Sequence, residues 1–402
     1  MKKRISLILT MLILLTLVGC GGGSQDVDQG KDETVAEATT PAAVDEEQAE
    51  AEEIGTAEAG VDDSGADTRV IVDAVGREVE LPAQVNSIVP LGNTPRMITY
   101  LGLADRVVGI GECEHARSPI HAYAYVNMDR WQDLPNVGTD AMGETAYYPE
   151  EIILAAPDVI LCTYAKDVAD KIQQQTGIPT VSVPQGTLFQ DDYDQALRML
   201  GEVCQVSERA EEVIAFIDSN LTDLASRVAN IPQTDKSTVL GAAATFKGGH
   251  SIDGIYTNYS VFKILEANDV AIDVSENEGA SGVMVDKEQI LSWNPQIIFF
   301  DAGNIELVRT DYSDQPDYFN QLQAVQNGEL YQWPNSTWHW SNVEIPLVSS
   351  YYTGSILYPE AFADVDFEAK ASEIFEFFLG EPDFLKVLEY AGVGYQKVTL
   401  GE

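Results

Sequence analysis

Glu150-Glu151-Ile152-Ile153-Leu154-Ala155-Ala156-Pro157-Asp158-Val159-Ile160 can be laid over Glu288-Gln289-Ile290-Leu291-Ser292-Trp293-Asn294-Pro295-Gln296-Ile297-Ile298, 138 residues further along the chain. The glutamate, the apolar pair at +2 and +3, the proline at +7 and the apolar pair at +9 and +10 coincide. Each copy reads as a short helix, a proline that ends it and a strand buried on both faces, the unit of a parallel sheet. The duplication predicts two similar α/β lobes with a cleft between the carboxyl ends of their sheets, where α/β folds bind ligands.

Outward from the copies, each has its own strand–helix block. Val70-Ile71-Val72-Asp73, a turn at Ala74-Val75-Gly76-Arg77, and Glu78 to Leu81 form an opening hairpin. Ser87-Ile88-Val89-Pro90 is a strand running into Leu91-Gly92-Asn93-Thr94-Pro95, and the helix beginning there ends at Gly102. Further strands are expected at Val107–Ile110, Val159–Leu161 and Thr180–Val183. Asp191–Leu200 is a helix stopped at Gly201. A second helix opens with Ser207 as N-cap and an acidic first turn, then runs to about Ala229 without Gly or Pro. Val213, Ile214, Phe216, Ile217, Leu221, Leu224 and Val228 give it an apolar stripe, and its length is about 34 Å. Strands resume at Thr238–Leu240, Ile297–Phe300 and Glu329–Tyr331, and Val343–Leu357 and Phe367–Leu379 read as helices. The folded chain thus divides into an N-terminal α/β lobe (68–206), an interlobe helix (207–231) and a C-terminal α/β lobe with a helical tail (232–402).

Residues 1–19 read as a lipoprotein export signal. Lys2, Lys3 and Arg4 precede the apolar run Ile5–Val18, which is short for a bilayer span of about 20 residues. Leu17-Val18-Gly19-Cys20 resembles a lipobox, which implies cleavage after residue 19, lipid on Cys20 and anchoring to the outer face of the cytoplasmic membrane. Residues 20–67 carry fifteen acids against Lys31 alone and almost no large apolar side chain. Such a stretch cannot offset its ordering entropy and reads as an acidic, disordered tether.

Composition narrows the function. The 402 residues include 65 acids against 23 bases, a formal charge of −42, which opposes nucleic acid and anionic lipid as partners. With Cys20 spent on lipid, Cys113, Cys162 and Cys204 leave no complete disulfide set. Cys113, His115 and His121 match no zinc spacing, so no metal site is assigned. The chain has no GxSxG elbow, Gly-rich phosphate loop or HExxH pair. The expectation is a monomeric binding protein and not an enzyme; a secreted hydrolase would need a nucleophile and base that the sequence does not offer.

From Val72 to about Gly354 the chain resembles the iron-complex and vitamin B12 class of substrate-binding proteins for bacterial ABC importers. The likeness is carried by the 73–79 hairpin, the Ser87–Gly111 block with Leu101-Gly102-Leu103, and Asn136-Val137-Gly138. Both repeat copies, the Gly201 turn, and Asn342-Val343-Glu344 leading into Leu357-Tyr358-Pro359 complete it. The resemblance implies a class III fold of two lobes joined by one long helix, closing on a metal chelate. It implies partners too: a permease with its ATPase, docked through one acidic residue per lobe, here Glu150 and Glu288. Both are also first-turn carboxylates, which the helix dipole favours. A ferric siderophore-type complex is the expected cargo, ahead of haem or cobalamin, with no resident cofactor. A lipoprotein receptor that senses its ligand is the alternative.

Candidate ligand residues lie in loops at the expected strand ends. In the first lobe they are Asn93, Thr94, Tyr147, Tyr148 and Tyr164; in the second, Phe246, Lys247, His250, Asn304, Trp338, His339 and Trp340. Aromatic faces suit a macrocycle or catecholate rim, and Lys247 suits an anionic chelate. The scarcity of arginine in these loops argues against a highly anionic tris-catecholate.

Overall fold

The computed structural model describes residues 68–141, 144–257, 259–274, 282–335, 337–338 and 340–401. The signal, Cys20 and the tether lie outside the described residues. Strands β1 (Thr68–Val72) and β2 (Glu78–Pro82) pair antiparallel as the opening hairpin. Gly76, at φ +76°, makes the turn that a side chain would strain. There follow β3 (Ile88–Pro90), α1 (Thr94–Tyr100), α2 (Ala122–Val126), α3 (Met128–Trp131), the hairpin β4 (Gly138–Ala141) and β5 (Glu144–Tyr147), α4 (Pro149–Ala155), β6 (Val159–Cys162), α5 (Lys166–Thr176) and β7 (Thr180–Ser182). The first central sheet is β3-β6-β7, all parallel. Val107–Ile110 is not a strand: Val107 and Ile110 each make one isolated bridge, to Ile88 and Asn136.

Two helices, α6 (Asp191–Cys204) and α7 (Ser207–Val228), carry the chain from the first sheet to the second. Gly201 does not stop α6, which continues to Cys204 and ends at Gln205 with φ +60°. Its role is close packing, because a Cβ there would lie 2.8 Å from Ala210 Cβ and 3.1 Å from Ser207 Cα. Ser207 is the first helical residue of α7; Val206 holds the N-cap position without a side-chain cap.

The second half contains β8 (Thr238–Ala242), β9 (Gly254–Tyr256), α8 (Ser260–Ile264), β10 (Asn268–Asp269), β11 (Gly282–Met284), α9 (Lys287–Trp293), β12 (Ile297–Asp301), α10 (Ile305–Asp314), α11 (Pro316–Phe319), α12 (Gln323–Asn327) and β13 (Leu330–Trp333). It closes with the short hairpin β14 (Thr337–Trp338) and β15 (Trp340–Ser341), α13 (Glu344–Leu357), α14 (Phe367–Leu379), α15 (Phe384–Tyr390) and β16 (Gln396–Lys397). The sheet order is β11-β9-β8-β12-β13-β16, with β10 also beside β8. Strands β10, β8, β12 and β13 run parallel; β9 pairs antiparallel with β8, β16 antiparallel with β13, and β11 antiparallel with β9.

The repeat is reproduced residue by residue. Helix α4 ends on Ala156 at φ 48°, ψ 54° and α9 on Asn294 at φ 42°, ψ 63°, the same left-handed position before each proline. Val159 and Leu161, like their counterparts Ile297 and Phe299, face one core shared by both halves. Ile152, Ile160 and Cys162 pack in an outer layer of the first sheet, while Ile290, Ile298 and Phe300 do so in the second. The period-2 alternation of a doubly covered strand therefore points the same way in both copies.

Buried polar contacts join the halves across the shared core. Tyr100 Oη at the end of α1 donates to Glu344 Oε2 of α13 at 2.6 Å and accepts from Val343 N–H at 3.2 Å. Asn342 Nδ2 donates to the Ile120 carbonyl at 3.2 Å. Arg209 of α7 donates to the carbonyls of Tyr100 and Phe377, at 3.0 and 2.7 Å. Tyr351 of α13 donates to Asn220 and Asp223 of α7.

Candidate functional site

In the first sheet the strand ends converge on Asn93. Its backbone N–H donates to Thr163 Oγ1, after β6, at 3.3 Å, and its Nδ2 donates to the Gln185 carbonyl, after β7, at 2.8 Å. Asn93 Oδ1 has no partner although the residue is 2% exposed. Gly92, at φ +65°, is needed here twice over, since a Cβ would come within 2.5 Å of Thr163 Oγ1 and 3.3 Å of the Tyr164 ring. The structure thus brings Asn93 and Tyr164 together. Thr94 is fully buried, and its hydroxyl donates to the Leu91 and Leu161 carbonyls. That spends it on holding the loop. Tyr147 lies elsewhere, bonded through Oη to Gln175 of α5 at 2.9 Å, and Tyr148 stands ahead of α4.

The second sheet's strand ends converge on Asp301, the last residue of β12, which is fully buried. Its Oδ2 accepts from Thr245 Oγ1 at 2.7 Å, Tyr256 Oη at 3.0 Å and Asn335 Nδ2 at 3.0 Å, and its Oδ1 from Gly303 N–H at 2.9 Å. Burial pushes the carboxyl up to about 6, against the opposing pull of these donors. Asn304 completes the floor by donating to the Ala243 carbonyl and Thr245 Oγ1, each at 2.7 Å. Above it, His250 Nε2 lies 2.8 Å from the Phe246 carbonyl, with the two rings 4.2 Å apart. Lys247 is exposed on that loop at φ +51°. Trp338 and Trp340 are cross-strand partners in the β14–β15 hairpin that follows β13; His339 lies outside the described residues.

Asp301 was missed as a hub because, in sequence, it is one acid among 65. The signal available was its place directly after the apolar run Ile297–Phe300, where a parallel strand delivers its last residue to the ligand side. His115 Nε2 lies 3.2 Å from the Trp131 carbonyl, and His121 is buried against the Tyr123 ring at 4.6 Å. Among the described residues no group of three His, Cys, Asp or Glu is placed to hold a metal, and no helix is long and apolar enough to cross a membrane.

Glu150 and Glu288 are each the second residue of their helices, α4 and α9, and both are exposed. A separate open cavity of about 710 Å³ lies against α9, lined by Asp253, Asp273, Asp286 and Trp293 among others. It contains none of the candidate ligand residues. The strand ends of the two sheets, at Asn93 in the first and Asp301 in the second, are the better candidates, because polar donors and aromatic residues gather at each.

Comparison with known proteins agrees with this geometry. A family model described as periplasmic binding protein matches residues 96–337. The molybdate-binding protein MolA of Haemophilus influenzae is 21% identical over 330 residues, 77% of this chain and 90% of that protein. An uncharacterized ABC transporter substrate-binding lipoprotein of Bacillus subtilis, YvrC, is 22% identical over 266 residues, 65% of this chain and 76% of that protein. The crystal structure of a periplasmic solute binding protein from Veillonella parvula superimposes with a TM-score of 0.61 at 21% identity, covering 78% of this chain and 93% of the other. These relatives are named as solute-binding proteins and not as enzymes. With its duplicated α/β unit and a family model spanning more than half its length, the chain belongs to the periplasmic binding protein family.

Proposed function

We propose that this chain is an exported, Cys20-lipidated binding protein that captures a bulky metal chelate at the strand ends and delivers it to an ABC importer. The chelate is a ferric siderophore-type complex in the first instance, with haem or cobalamin as alternatives. Glu150 and Glu288 dock on the permease, and its ATPase performs the only chemistry. The observation that carries this reading is the duplication: two exposed carboxylates stand at the same position of two copies of one unit, suited to a partner with paired cationic sites. The Phe246–His250 loop, which carries Lys247, and Trp338 and Trp340 are the residues assigned to the cargo, since aromatic faces and one cation suit such a chelate. The overall charge of −42 opposes a multiply anionic cargo. A second reading, a tetrahedral oxyanion, is favoured by the relative named for molybdate.

Tryptophan fluorescence separates these. Trp131 is buried in the core and Trp293 lies at the separate cavity, whereas Trp333 pairs with Asp301 at the strand ends and stays as a reporter of the site when Trp338 and Trp340 are replaced. Ferric siderophores of several classes, haemin, cyanocobalamin and molybdate are titrated, with correction for their absorption. Saturable quenching by a chelate, lost on combining Trp338→Ala with Trp340→Ala, is the expected result. Binding of molybdate alone selects the oxyanion, and failure of every compound refutes both cargoes.

A further inference from the structure

The side of α4 turned away from its sheet is apolar as well as acidic. Ile152 is fully buried; at about 100° per residue, Glu150 and Leu154 share the opposite line one turn apart, flanked by Glu151 and Ile153. Leu154 is 77% exposed, Ile153 47% and Tyr148 37%. Among the described residues these are three of only ten exposed large apolar side chains, gathered within seven positions, so chance scatter is a poor account of them. The second copy provides the control. On α9 the same outward line carries Glu288 and Ser292, both exposed, with Gln289 in place of Glu151. The backbone is conserved between the copies, the carboxylate is conserved, and the aliphatic anchor is not.

We propose that Leu154, supported by Ile153, is the apolar anchor of the importer contact, so that the two helices dock unequally. This rests on the reading that Glu150 and Glu288 meet the permease. The occupant follows from charge and shape: a permease surface offering Arg or Lys to Glu150, with an apolar socket one helical turn, about 5.4 Å, along from it. A carboxylate pairing at an exposed rim contributes specificity and steering, whereas a buried aliphatic side chain supplies binding energy. On α9 the outward line offers Glu288 without an aliphatic side chain one turn along, so that helix contributes orientation.

The test measures affinity of the full lipidated chain for its importer in lipid nanodiscs, read from the concentration dependence of ATPase stimulation. A side chain 77% exposed carries little core packing, so Leu154→Ser folds normally. Leu154→Ser is expected to weaken binding about tenfold to a hundredfold, the effect of failing to bury one leucine. Tyr390→Ser removes a 96% exposed ring at the end of α15 and is expected to change affinity less than about threefold. If Leu154→Ser binds like the wild type while Glu150→Gln with Glu288→Gln binds weakly, the anchor is overturned and the docking reading survives. If the glutamine pair also binds like the wild type, the docking reading falls and takes the anchor with it.

Discussion

Removing a single oxygen, by Tyr100→Phe, tests the junction between the two halves. The hydroxyl donates to the fully buried Glu344 carboxylate at 2.6 Å and accepts from Val343 N–H. The ring stays against Phe378 at 5.0 Å, so the change is polar and not a large cavity. A hydrogen bond to a charged group contributes about 1.5–3 kcal/mol, and part of the cost of an unsatisfied buried N–H adds to it. The expected loss is about 2–4 kcal/mol out of a total near 5–15 kcal/mol. Burial raises the Glu344 carboxyl above its ordinary value and the Tyr100 hydroxyl pulls it down. A raised acid contributes its stability fully below its unfolded value and loses it as pH rises through the folded value. Without the hydroxyl the folded value rises further, so the penalty is larger at a pH above the folded value than at a pH below the carboxyl's ordinary range. Urea unfolding followed by circular dichroism at both pH values measures it. A loss below about 1 kcal/mol at the higher pH, or one independent of pH, refutes the argument. Tyr193→Phe is the internal control, because that buried hydroxyl has no partner and its removal is neutral or stabilising.

Three further outcomes follow from the same geometry. Ala156 holds a left-handed position that Asn occupies in the other copy, so Ala156→Gly raises stability by about 0.5–1 kcal/mol in denaturant titration; a loss contradicts the assigned backbone. Gly201→Ala, favourable by helix propensity, destabilises by about 1–3 kcal/mol because the new Cβ meets Ala210 and Ser207; a gain shows that α6 and α7 have room to part. Burial raises Asp269 and Asp301 to about 6 from 3.8, so their contribution is complete below the ordinary value and disappears through about pH 6. Melting temperature is therefore expected to fall as pH rises across that window, and a rise across it contradicts the burial of these carboxyls.

Much of the architecture was legible because its causes are local. Short continuous apolar runs marked β3, β6, β8 and β12, the 3.6-residue stripe marked α7, and the spacing of Glu, Pro and the apolar pairs marked the repeat. Even the ends of α14, at Phe367 and Leu379, coincide with the expected ones. The candidate site was legible only as a set of loops. Local composition nominated Asn93, Tyr164, Asn304 and the Trp338–Trp340 hairpin, but it equally nominated Thr94, whose hydroxyl is buried on the Leu91 and Leu161 carbonyls, and Tyr147, whose hydroxyl is bonded to Gln175. Where a hydroxyl points depends on which carbonyl reaches it, and those carbonyls belong to other strands and helices.

The remaining features were settled by the tertiary structure, for one physical reason: their partners are distant in the chain. Gly201 looked like a helix stop until the approach of α7 showed what its missing side chain accommodates. Val107–Ile110 has the apolar content of a strand but obtains only isolated bridges, because backbone pairing needs a neighbour in register and composition cannot provide one. Asp301 became a hub through Thr245, Tyr256 and Asn335, and Tyr100 meets Glu344 from 244 positions away. Periodicity and spacing determined that this chain builds two copies of an α/β unit. Which polar groups those copies turn inward together, and which carboxylates and aliphatic side chains they leave facing out, was decided only when the sheets packed.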